Sequence, residues 1–184
     1  MGPQVMKSKD GSVYLAAIFY VLITGLSFLF IKVALTVAEP FDILAHRFNA
    51  AFLGVVLASA MGFVKLKIRL GSLKQILPLA LLYPILFFGL QTAGLVYATS
   101  VEGGIISATS PIFTLILATV FLKEKSTPWQ RISIIISVAG VLYVTLMQGA
   151  SLNFSNLLGI MLLLFSTLAL AGYNVLARYT FCLG

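Results

Sequence analysis

Long apolar runs alternate with short polar segments along most of the chain. A helix rises about 1.5 Å per residue, so about 20 apolar residues cross a hydrocarbon core about 30 Å thick. Six runs approach or exceed that length, and prolines and glycines lie between them, as is typical of helix ends. The runs cover residues 14–37, 41–64, 73–97, 103–122, 132–147 and 157–177. This pattern predicts six transmembrane helices.

The composition places the chain in lipid. Of its 184 residues, 60% are apolar and 9% are charged, and the mean hydropathy is +1.09; soluble domains carry about 25% charged residues. A soluble globule of this size could not bury so much apolar surface, so a soluble enzyme is excluded. We therefore predict an all-α polytopic membrane protein, a helical bundle with the lipid bilayer as its surroundings.

Basic residues outside the cores of the runs occupy alternate connecting segments. They lie before the first run and near the ends that follow the second, fourth and sixth, at Lys7, Lys9, Lys65, Lys67, Arg69, Lys74, Lys123, Lys125, Arg131 and Arg178. The intervening connections carry acidic residues instead, at Glu39, Asp42 and Glu102. The positive-inside rule then places the N-terminus in the cytoplasm. Membrane topology explains the net charge of +7, and the basic residues are expected to contact anionic lipid headgroups. No nucleic-acid partner is predicted.

Two cations, Lys32 and Arg47, lie inside predicted helices. Lys32 is about 8 Å below the end of the first run, and Arg47 is about 9 Å below the start of the second, at one depth in the membrane. A charge in hydrocarbon costs several kcal/mol unless it snorkels, pairs or faces a cavity. One interpretation is snorkelling, or pairing with Glu39, Asp42 or Glu102. The other is a vestibule that attracts a carboxylate or another anionic group.

Small side chains form stripes on two of the predicted helices. In the fourth run they recur every three or four positions, at Gly103, Ser107, Ser110, Thr114 and Ala118. In the fifth run they recur at Ser133, Ser137 and Gly140. Such stripes let helices pack closely in lipid, and they can also line the path of a ligand; both interpretations stay open. Pro84 and Pro111 each free a carbonyl inside a run, which then needs a partner or a water-filled cavity.

Sequence motifs for covalent or metal chemistry are absent. The single Cys182 has no second cysteine to pair with, and neither a His/Cys spacing nor an HExxH motif indicates a metal site. No glycine-rich nucleotide-binding loop occurs. The sequence therefore predicts no catalytic residue, no metal and no cofactor, and a protein that is not an enzyme. One alternative is a membrane-embedded transferase or hydrolase that uses His46.

The sixth run can be aligned with the first without gaps. Thr24, Gly25, Ser27, Phe28 and Lys32 then fall on Leu170, Ala171, Tyr173, Asn174 and Arg178. The two runs are five apart, so they cross the membrane in opposite directions, as the first helices of two inverted repeats would. Transporters built in this way bind solute near the midplane and rock one repeat against the other.

Several landmarks, taken in order, resemble one group of transporters. They are Gly25-Leu-Ser-Phe-Leu-Phe-Ile-Lys32, the Arg47-Phe48 pair, Tyr97-Ala-Thr-Ser100 through Ala108-Thr-Ser-Pro111, Leu122-Lys-Glu124 and Ala139-Gly140-Val141. In order and spacing they resemble the drug/metabolite transporter superfamily, in particular an EamA-like repeat. The resemblance implies the first half of a ten-helix bundle of two inverted repeats with cytoplasmic termini, and the expected location is a prokaryotic plasma membrane.

The resemblance also implies how the chain is organised. Residues 1–13 would be a cytoplasmic segment, 14–147 a five-helix EamA-like repeat, and 148–184 a loop and the first helix of a second repeat. Because the chain stops at Gly184, we expect a truncated or fragmentary chain that pairs with a second transporter half or forms a homodimer. Glu124 matches a landmark at the cytoplasmic end of the fourth helix, where we expect it to brace a neighbouring cation or cap a helix.

The implied activity is movement of a small-molecule solute by alternating access, often as efflux. Amino acids, sugars and drug-like compounds are the solute classes implied, and the intramembrane cations favour an anionic or zwitterionic one. The alternative is a non-transporting membrane subunit, or an inactive fragment, that packs against a partner half.

Eight residues are candidates for solute binding. Lys32 and Arg47 would attract or orient the solute, Tyr97 and Glu102 would shape the outer entrance, and Pro111 would permit backbone adjustment. The full set is Lys32, His46, Arg47, Asn49, Tyr97, Glu102, Ser107 and Pro111.

Overall fold

The protein was obtained as a computed structural model that describes residues 10–63, 73–123, 127–147 and 154–183. Within these ranges the chain is helical apart from short turns, and it contains no β-strand. The helices are α1 (Asp10–Ala34), α2 (Pro40–Ala60), α3 (Leu73–Ala80), α4 (Phe87–Tyr97), α5 (Ser100–Ser107), α6 (Ser110–Phe121), α7 (Pro128–Met147) and α8 (Phe154–Arg178). The segments Leu81–Leu86 and Tyr179–Leu183 have the wider turns of a π-helix. Glu124, with its predicted bracing role, lies outside the described residues.

The helices confirm the predicted all-α membrane architecture. In the described ranges, five segments are long and apolar enough to cross a membrane: Tyr14–Ala34, Pro40–Ala60, Ile76–Tyr97, Ser100–Phe121 and Asn156–Phe181. α7 is 20 residues long and covers the fifth predicted run. α1 begins at Asp10, inside the segment expected to precede the membrane.

The connection between α1 and α2 is short and ends in a proline. Pro40 stands in the first turn of α2, where the missing N–H would have had no partner in any case. Glu39 precedes it with an extended backbone, and Asp42 adds a negative charge to the same turn, which favours a helix start. The sequence therefore fixes where α2 begins.

The third predicted run is a single crossing with a kink in its middle. Leu81–Leu86 separates α3 from α4, and within it Tyr83 has extended backbone angles, φ −141° and ψ 117°. Pro84 has no N–H to continue the helical ladder there. The kink thus falls where the sequence predicts a weakened ladder, and the Tyr83 ring lies 5.2 Å from that of Tyr173 in α8.

The fourth predicted run is divided into α5 and α6 by a turn at Ala108 and Thr109. The Thr109 hydroxyl donates to the carbonyl oxygen of Ile106 over 2.6 Å, a local bond that competes with the helical ladder. Pro111 stands in the first turn of α6 and not in a continuous helix, so its missing N–H needs no partner. The prediction that Pro111 frees a carbonyl in the middle of a helix is therefore wrong, because the run divides into two helices just before this residue.

The buried side chains concentrate where α8 packs against α4, α5 and α6. Two glycines permit this close approach. A Cβ on Gly94 of α4 would lie 2.9 Å from Cγ of Leu163, and one on Gly159 of α8 would lie 2.9 Å from the backbone N of Ala98. The central apolar cluster consists of Phe28, Ile31, Leu95, Ala98, Ile106 and Leu163.

The two small-residue stripes have different surroundings. Gly103, in the stripe of the fourth run, is buried, and a Cβ there would lie 2.9 Å from side-chain atoms of both Leu95 and Phe28. Close packing is thus confirmed at this position. A Cβ on Gly140 of α7 would meet nothing within 4 Å among the described residues, so the second stripe packs against none of them there.

Large apolar faces remain exposed on α1 and α2. None of the residues of α2 is buried, and Phe41, Phe52 and Leu57 are among its exposed side chains. Faces of this size would aggregate in water, whereas in a bilayer they contact lipid or neighbouring helices.

One end of the bundle brings together the C-terminal ends of α1 and α4 and the N-terminal ends of α5 and α8. Lys32, near the end of α1, contacts the carbonyl oxygen of Ala98, and Asn156, near the start of α8, contacts Glu102 of α5. α1 and α8 therefore run in opposite directions, as the inverted-repeat hypothesis requires. This end, which the charge pattern predicts to face outward, is called the capped end below.

Candidate functional site

The Lys32 ammonium closes the C-terminal end of α4. Its Nζ donates to the carbonyl oxygens of Leu95 at 2.7 Å and Ala98 at 2.8 Å, and lies 3.5 Å from that of Val96. The last carbonyls of a helix have no N–H partner within it, and the helix dipole favours a cation there. Lys32 is therefore hydrogen-bonded to backbone, and Glu102, one of the acidic residues proposed as its partner, interacts with it electrostatically.

Glu102 closes the start of α5 in a reciprocal way. Its Oε2 accepts from the backbone N of Thr99 at 2.7 Å and from Thr99 Oγ1 at 2.9 Å, while Thr99 Oγ1 accepts from the backbone N of Glu102 at 3.2 Å. This is a capping box, and Asn156 Nδ2 donates to the other carboxylate oxygen at 3.3 Å. Ala98 and Thr99 are the two residues that connect α4 to α5. Lys32 binds the first of them and Glu102 binds the second, so the two side chains hold the same turn.

A cavity of about 670 Å³ lies beside this turn. The α1–α2 connection, the start of α2 and one face of α4 form its walls and leave it partly open, and its lining includes Lys32, Glu39, Leu44, Gly89, Ala93 and Tyr97. Two sequence-predicted residues, Lys32 and Tyr97, thus share it. The volume is within the range of small-molecule sites.

Arg47 lies one helical turn further into the membrane than Leu44, on the same side of α2. Its Cζ is 3.9 Å from the centroid of the Phe88 ring, a cation–π contact. Its Nη2 donates to Ser27 Oγ over a long 3.3 Å. Its Nη1 is buried and has no hydrogen-bond partner in the part of the chain that the structure describes. Since a buried unpaired donor is costly, an anionic group that reached Nη1 would bind favourably.

The two intramembrane cations end at different depths. Ser27, which contacts Arg47, precedes Lys32 by five residues in α1, and Phe88 precedes Leu95 by seven in α4. At 1.5 Å per residue the two charged groups lie about 8–10 Å apart along the helices. The prediction of one common depth is wrong for the charged groups because each side chain extends toward a different level of α4.

The Phe88 ring that Arg47 contacts belongs to a cluster of aromatic rings. Neighbouring centroids in this group lie between 4.9 and 6.3 Å apart, distances typical of favourable ring pairs. The rings come from α2, the kink, α4 and α8, and belong to Phe48, Tyr83, Phe87, Phe88 and Tyr173. The kink at Tyr83 thus contributes directly to the setting of Arg47.

Two buried polar side chains on α4 lie near the same place. Gln91 is 4% exposed and Thr92 is 0% exposed, and Gln91 Oε1 and Thr92 Oγ1 have no hydrogen-bond partner among the described residues. They follow Phe88 by three and four positions, which puts them one turn along α4. Neither residue is among the eight candidates predicted from the sequence. The signal was present, since a glutamine within an apolar run requires an explanation much as a charge does.

The remaining candidates lie apart from Arg47 in the described structure. His46 and Asn49 are exposed, and His46 Nδ1 and Asn49 Nδ2 lie 2.8 Å and 2.9 Å from carbonyl oxygens one turn earlier in α2. Ser107 is half-buried at the end of α5, and Pro111 is exposed at the start of α6. A role for these four in solute binding stays a prediction.

These features define a class of protein. Apolar helices, two of the crossings interrupted, line a solute-sized cavity, and the half-buried Arg47 lies one turn of α2 beyond it, as in a multi-pass membrane transporter. The family model of the EamA-like transporter family matches residues 11–146, and the chain belongs to that family. Membership confirms the resemblance seen in the sequence and indicates a transporter rather than an enzyme.

Relatives carry the same general description. The chain is 49% identical over 174 residues to the "Uncharacterized transporter YcxC" of Bacillus subtilis, covering 95% of this chain and 56% of that protein. It is 27% identical over 157 residues to an "Uncharacterized transporter" of Archaeoglobus fulgidus, covering 84% and 53%. It is 29% identical over 138 residues to the "Uncharacterized transporter YyaM" of Bacillus subtilis, covering 74% and 45%.

The chain spans about half the length of the curated relatives it matches. No solved structure matches it significantly. The multiple apolar helices and the bacterial relatives make it an integral membrane protein.

Proposed function

We propose that this protein moves a small anionic or zwitterionic solute across the membrane by alternating access, in the direction of efflux. The observation that carries the proposal is the Arg47 guanidinium, whose buried Nη1 has no hydrogen-bond partner among the described residues. In a membrane interior such a donor is costly unless it is paired. A carboxylate is a suitable partner because its charge and planar oxygens match the guanidinium.

The cavity supports a route from the capped end to Arg47. Gly89 and Ala93 leave the deeper part of the α4 wall free of bulky side chains, and Leu44 lies between the cavity and the next turn of α2, which carries Arg47. The exposed carboxylate of Glu39 lies at the same end. A solute with both charges would therefore meet an acidic group first and a cation deeper in the membrane.

The interrupted crossings support alternating access. The kink between α3 and α4 and the turn between α5 and α6 both interrupt the helical ladder within a membrane crossing. Such interruptions are places where part of a helix can pivot while the rest stays packed. The direction of transport rests on the family resemblance alone.

Transport by the reconstituted protein tests the proposal. Liposomes would be assayed for uptake and release of radiolabelled standard L-amino acids and short-chain organic acids, with wild type, Arg47→Gln and Arg47→Lys compared. We expect Arg47→Gln to lower flux about tenfold or more, because one charge-assisted hydrogen bond is lost. Arg47→Lys keeps the charge but not the fork of donors, so its flux should fall in between.

Lys74→Gln is the matched control, since it also removes one positive charge but at an exposed position on α3. We expect its flux to stay near the wild-type value. Equal flux in wild type and Arg47→Gln would contradict the role of Arg47, and so would an equal loss of flux in Lys74→Gln.

A partner half is part of the proposal, because the chain spans about half the length of its relatives and α2 has no buried residue. The partner would be a second transporter half or a second copy of this chain. If wild type binds solute in an Arg47-dependent way but shows no flux in liposomes at any protein density, the chain is a membrane subunit that needs that partner.

A further inference from the structure

We propose that the apolar groove between the C-terminal ends of α6 and α8 binds an acyl chain of an anionic phospholipid, with the lipid phosphate beside Lys123. This groove is separate from the solute route toward Arg47, so its occupancy does not depend on the proposed function. The predicted contact with anionic headgroups would thereby have a specific place on the protein.

The groove lies at the end of the bundle opposite the capped end. α5 and α8 begin at the capped end, and α6 continues the crossing that α5 begins, so α6 and α8 end side by side at the other end. The groove between them has a volume of about 470 Å³. Its walls include Leu117, Phe121, Val175 and Leu176, and among the residues that line it the only polar side-chain atom is the hydroxyl of Tyr179.

The shape and lining of the groove fit a hydrocarbon chain. The lining residues extend from Leu117 to Leu122 and from Gly172 to Tyr179, which is about 8–11 Å along the helices. Walls of this composition offer almost nothing to pair with a polar solute, whose desolvation would therefore be unfavourable. Tyr179 is 58% exposed, and tyrosine is enriched at membrane–water interfaces, where a lipid chain meets its headgroup.

Basic residues lie at the mouth of the groove. Lys123 is exposed and directly follows the lining residues of α6, and Arg178 stands next to Tyr179. In sequence, the segment after α6 adds Lys125 and a single acidic residue, Glu124, so positive charge predominates. The charge pattern predicts that this end faces the cytoplasm, where basic pockets between transmembrane helices bind anionic headgroups. An anionic lipid thus matches both the walls and the mouth.

The backbone at Lys123 gives separate support. Lys123 follows Leu122, the C-cap of α6, and has φ 55°, in the left-handed region. Helices often end with a residue in this conformation, but that residue is usually glycine because a side chain is strained there. Within the described ranges, Lys123 is the one residue other than glycine with a positive φ. A lysine retained at a strained position indicates a use for its charge.

Tryptophan fluorescence in reconstituted bilayers tests the inference. In a Trp129→Phe background, Phe121→Trp reports on the groove, and Leu57→Trp reports on the exposed face of α2 one turn before that helix ends. Quenching by brominated phosphatidylglycerol and by brominated phosphatidylcholine with identical chains gives the lipid preference at each reporter. We expect the preference for phosphatidylglycerol at position 121 to exceed that at position 57 about fivefold, the contribution of one basic residue near a membrane surface.

Lys123→Gly separates the charge from the backbone. It removes the ammonium and relieves the strain, so the preference at position 121 should fall to about that at position 57, while the thermal midpoint stays equal or rises. Lys74→Gln, which removes an exposed positive charge on α3, should leave the preference unchanged. Leu176→Phe should lower the preference by filling the groove, whereas Leu168→Phe, two turns earlier on α8 and outside the groove, should not.

Equal preferences at the two reporters, or an unchanged preference at position 121 in Lys123→Gly, would overturn the inference. Weak quenching by both lipids at position 121, with strong quenching at position 57, would show that a partner half or a second copy covers the groove and would overturn it as well. If the reporter variants fail to fold, native mass spectrometry of the protein without reporters supplies the measurement. Wild type should then retain phosphatidylglycerol over phosphatidylcholine from an equimolar mixture, and Lys123→Gly should lose about fivefold of this preference.

Discussion

At the scale of single residues, Lys32 and Arg47 show how two intramembrane cations acquire different roles from the acceptors around them. Lys32 reaches the C-terminal carbonyls of α4 at 2.7 Å and 2.8 Å, so its charge is held by backbone. Arg47 has a ring face, one long bond to a hydroxyl and a buried donor with no partner in the described structure. The number of satisfied donors therefore separates a structural cation from a candidate binding group.

The capping role of Lys32 predicts a stability effect. Lys32→Met removes the ammonium and leaves the end of α4 without its donor, which should lower the free energy of unfolding by about 1–3 kcal/mol. Thermal unfolding in detergent, followed by circular dichroism, would show this as a lower midpoint. Lys74→Met is the control, because Lys74 is exposed on α3 and should change little. Equal midpoints for the two variants would contradict the assignment.

The sequence was sufficient to find the intramembrane cations but not to assign their roles. Charge within an apolar run is visible in one dimension, and it drew attention to Lys32 and Arg47. Which acceptor each side chain reaches depends on the rotation of α4, which hydropathy does not specify. Gln91 is visible as a polar residue inside an apolar run, but the depth at which it and Thr92 are buried arises from packing. The spacing of Thr99 and Glu102 is that of a capping box and is local in sequence, whereas the contact of Glu102 with Asn156 is not.

At the scale of elements, two glycines determine how closely α4 and α8 approach. Each would place a Cβ within 3 Å of the other helix or of the turn that follows it. For Gly159 the nearest atoms include the backbone N of Ala98, which cannot move without a shift of α4. In lipid, where apolar burial does not drive association, this close contact is a main source of helix packing.

Gly159→Ala should therefore destabilise the bundle. The added Cβ would lie 2.9 Å from the backbone N of Ala98 and 3.0 Å from the carbonyl oxygen of Gly94, so we expect a loss of about 1–3 kcal/mol. Gly172→Ala, on the same helix, is the matched control, since its Cβ would meet nothing closer than Leu82 Cδ1 at 3.8 Å. Thermal unfolding of both variants is the measurement. A midpoint for Gly159→Ala at or above that of Gly172→Ala would contradict the packing argument.

The crossings themselves were predictable, whereas their interruptions were only partly so. Run length defined each crossing, and Pro84 marked the position of the kink. Pro111 marked the break before α6, but the turn at Ala108 and Thr109 also depends on the Thr109 hydroxyl bond, which no periodicity reveals. Helix ends differ by a few residues from the predicted ones because caps, rather than hydropathy, decide them.

At the scale of the whole molecule, the charge pattern predicts which end of the bundle faces the cytoplasm. The capped end carries acidic connections, and the positive-inside rule predicts that the basic segments lie on the opposite side of the membrane. In the structure, α1 and α8 run in opposite directions. The charge pattern also predicts opposite directions for the first and sixth crossings, so the two observations agree.

Cysteine labelling in intact cells would test the orientation. In a Cys182→Ser background, Glu39→Cys should react with a membrane-impermeant maleimide, and Lys67→Cys should react only after lysis, because the positive-inside rule keeps its segment in the cytoplasm. Labelling of Lys67→Cys together with silence of Glu39→Cys would reverse the orientation of the capped end.

The burial of α4 against α8 has a consequence for biosynthesis. Translation proceeds at about 5–20 residues per second, so α4 enters the membrane several seconds before α8 has been made. During that interval Gln91 faces lipid or the insertion machinery, and Gly94 has no partner helix to pack against. We expect a nascent chain arrested before Gly159 to be recognised by membrane quality-control proteases, since the buried polar groups of α4 stay exposed until α8 is inserted.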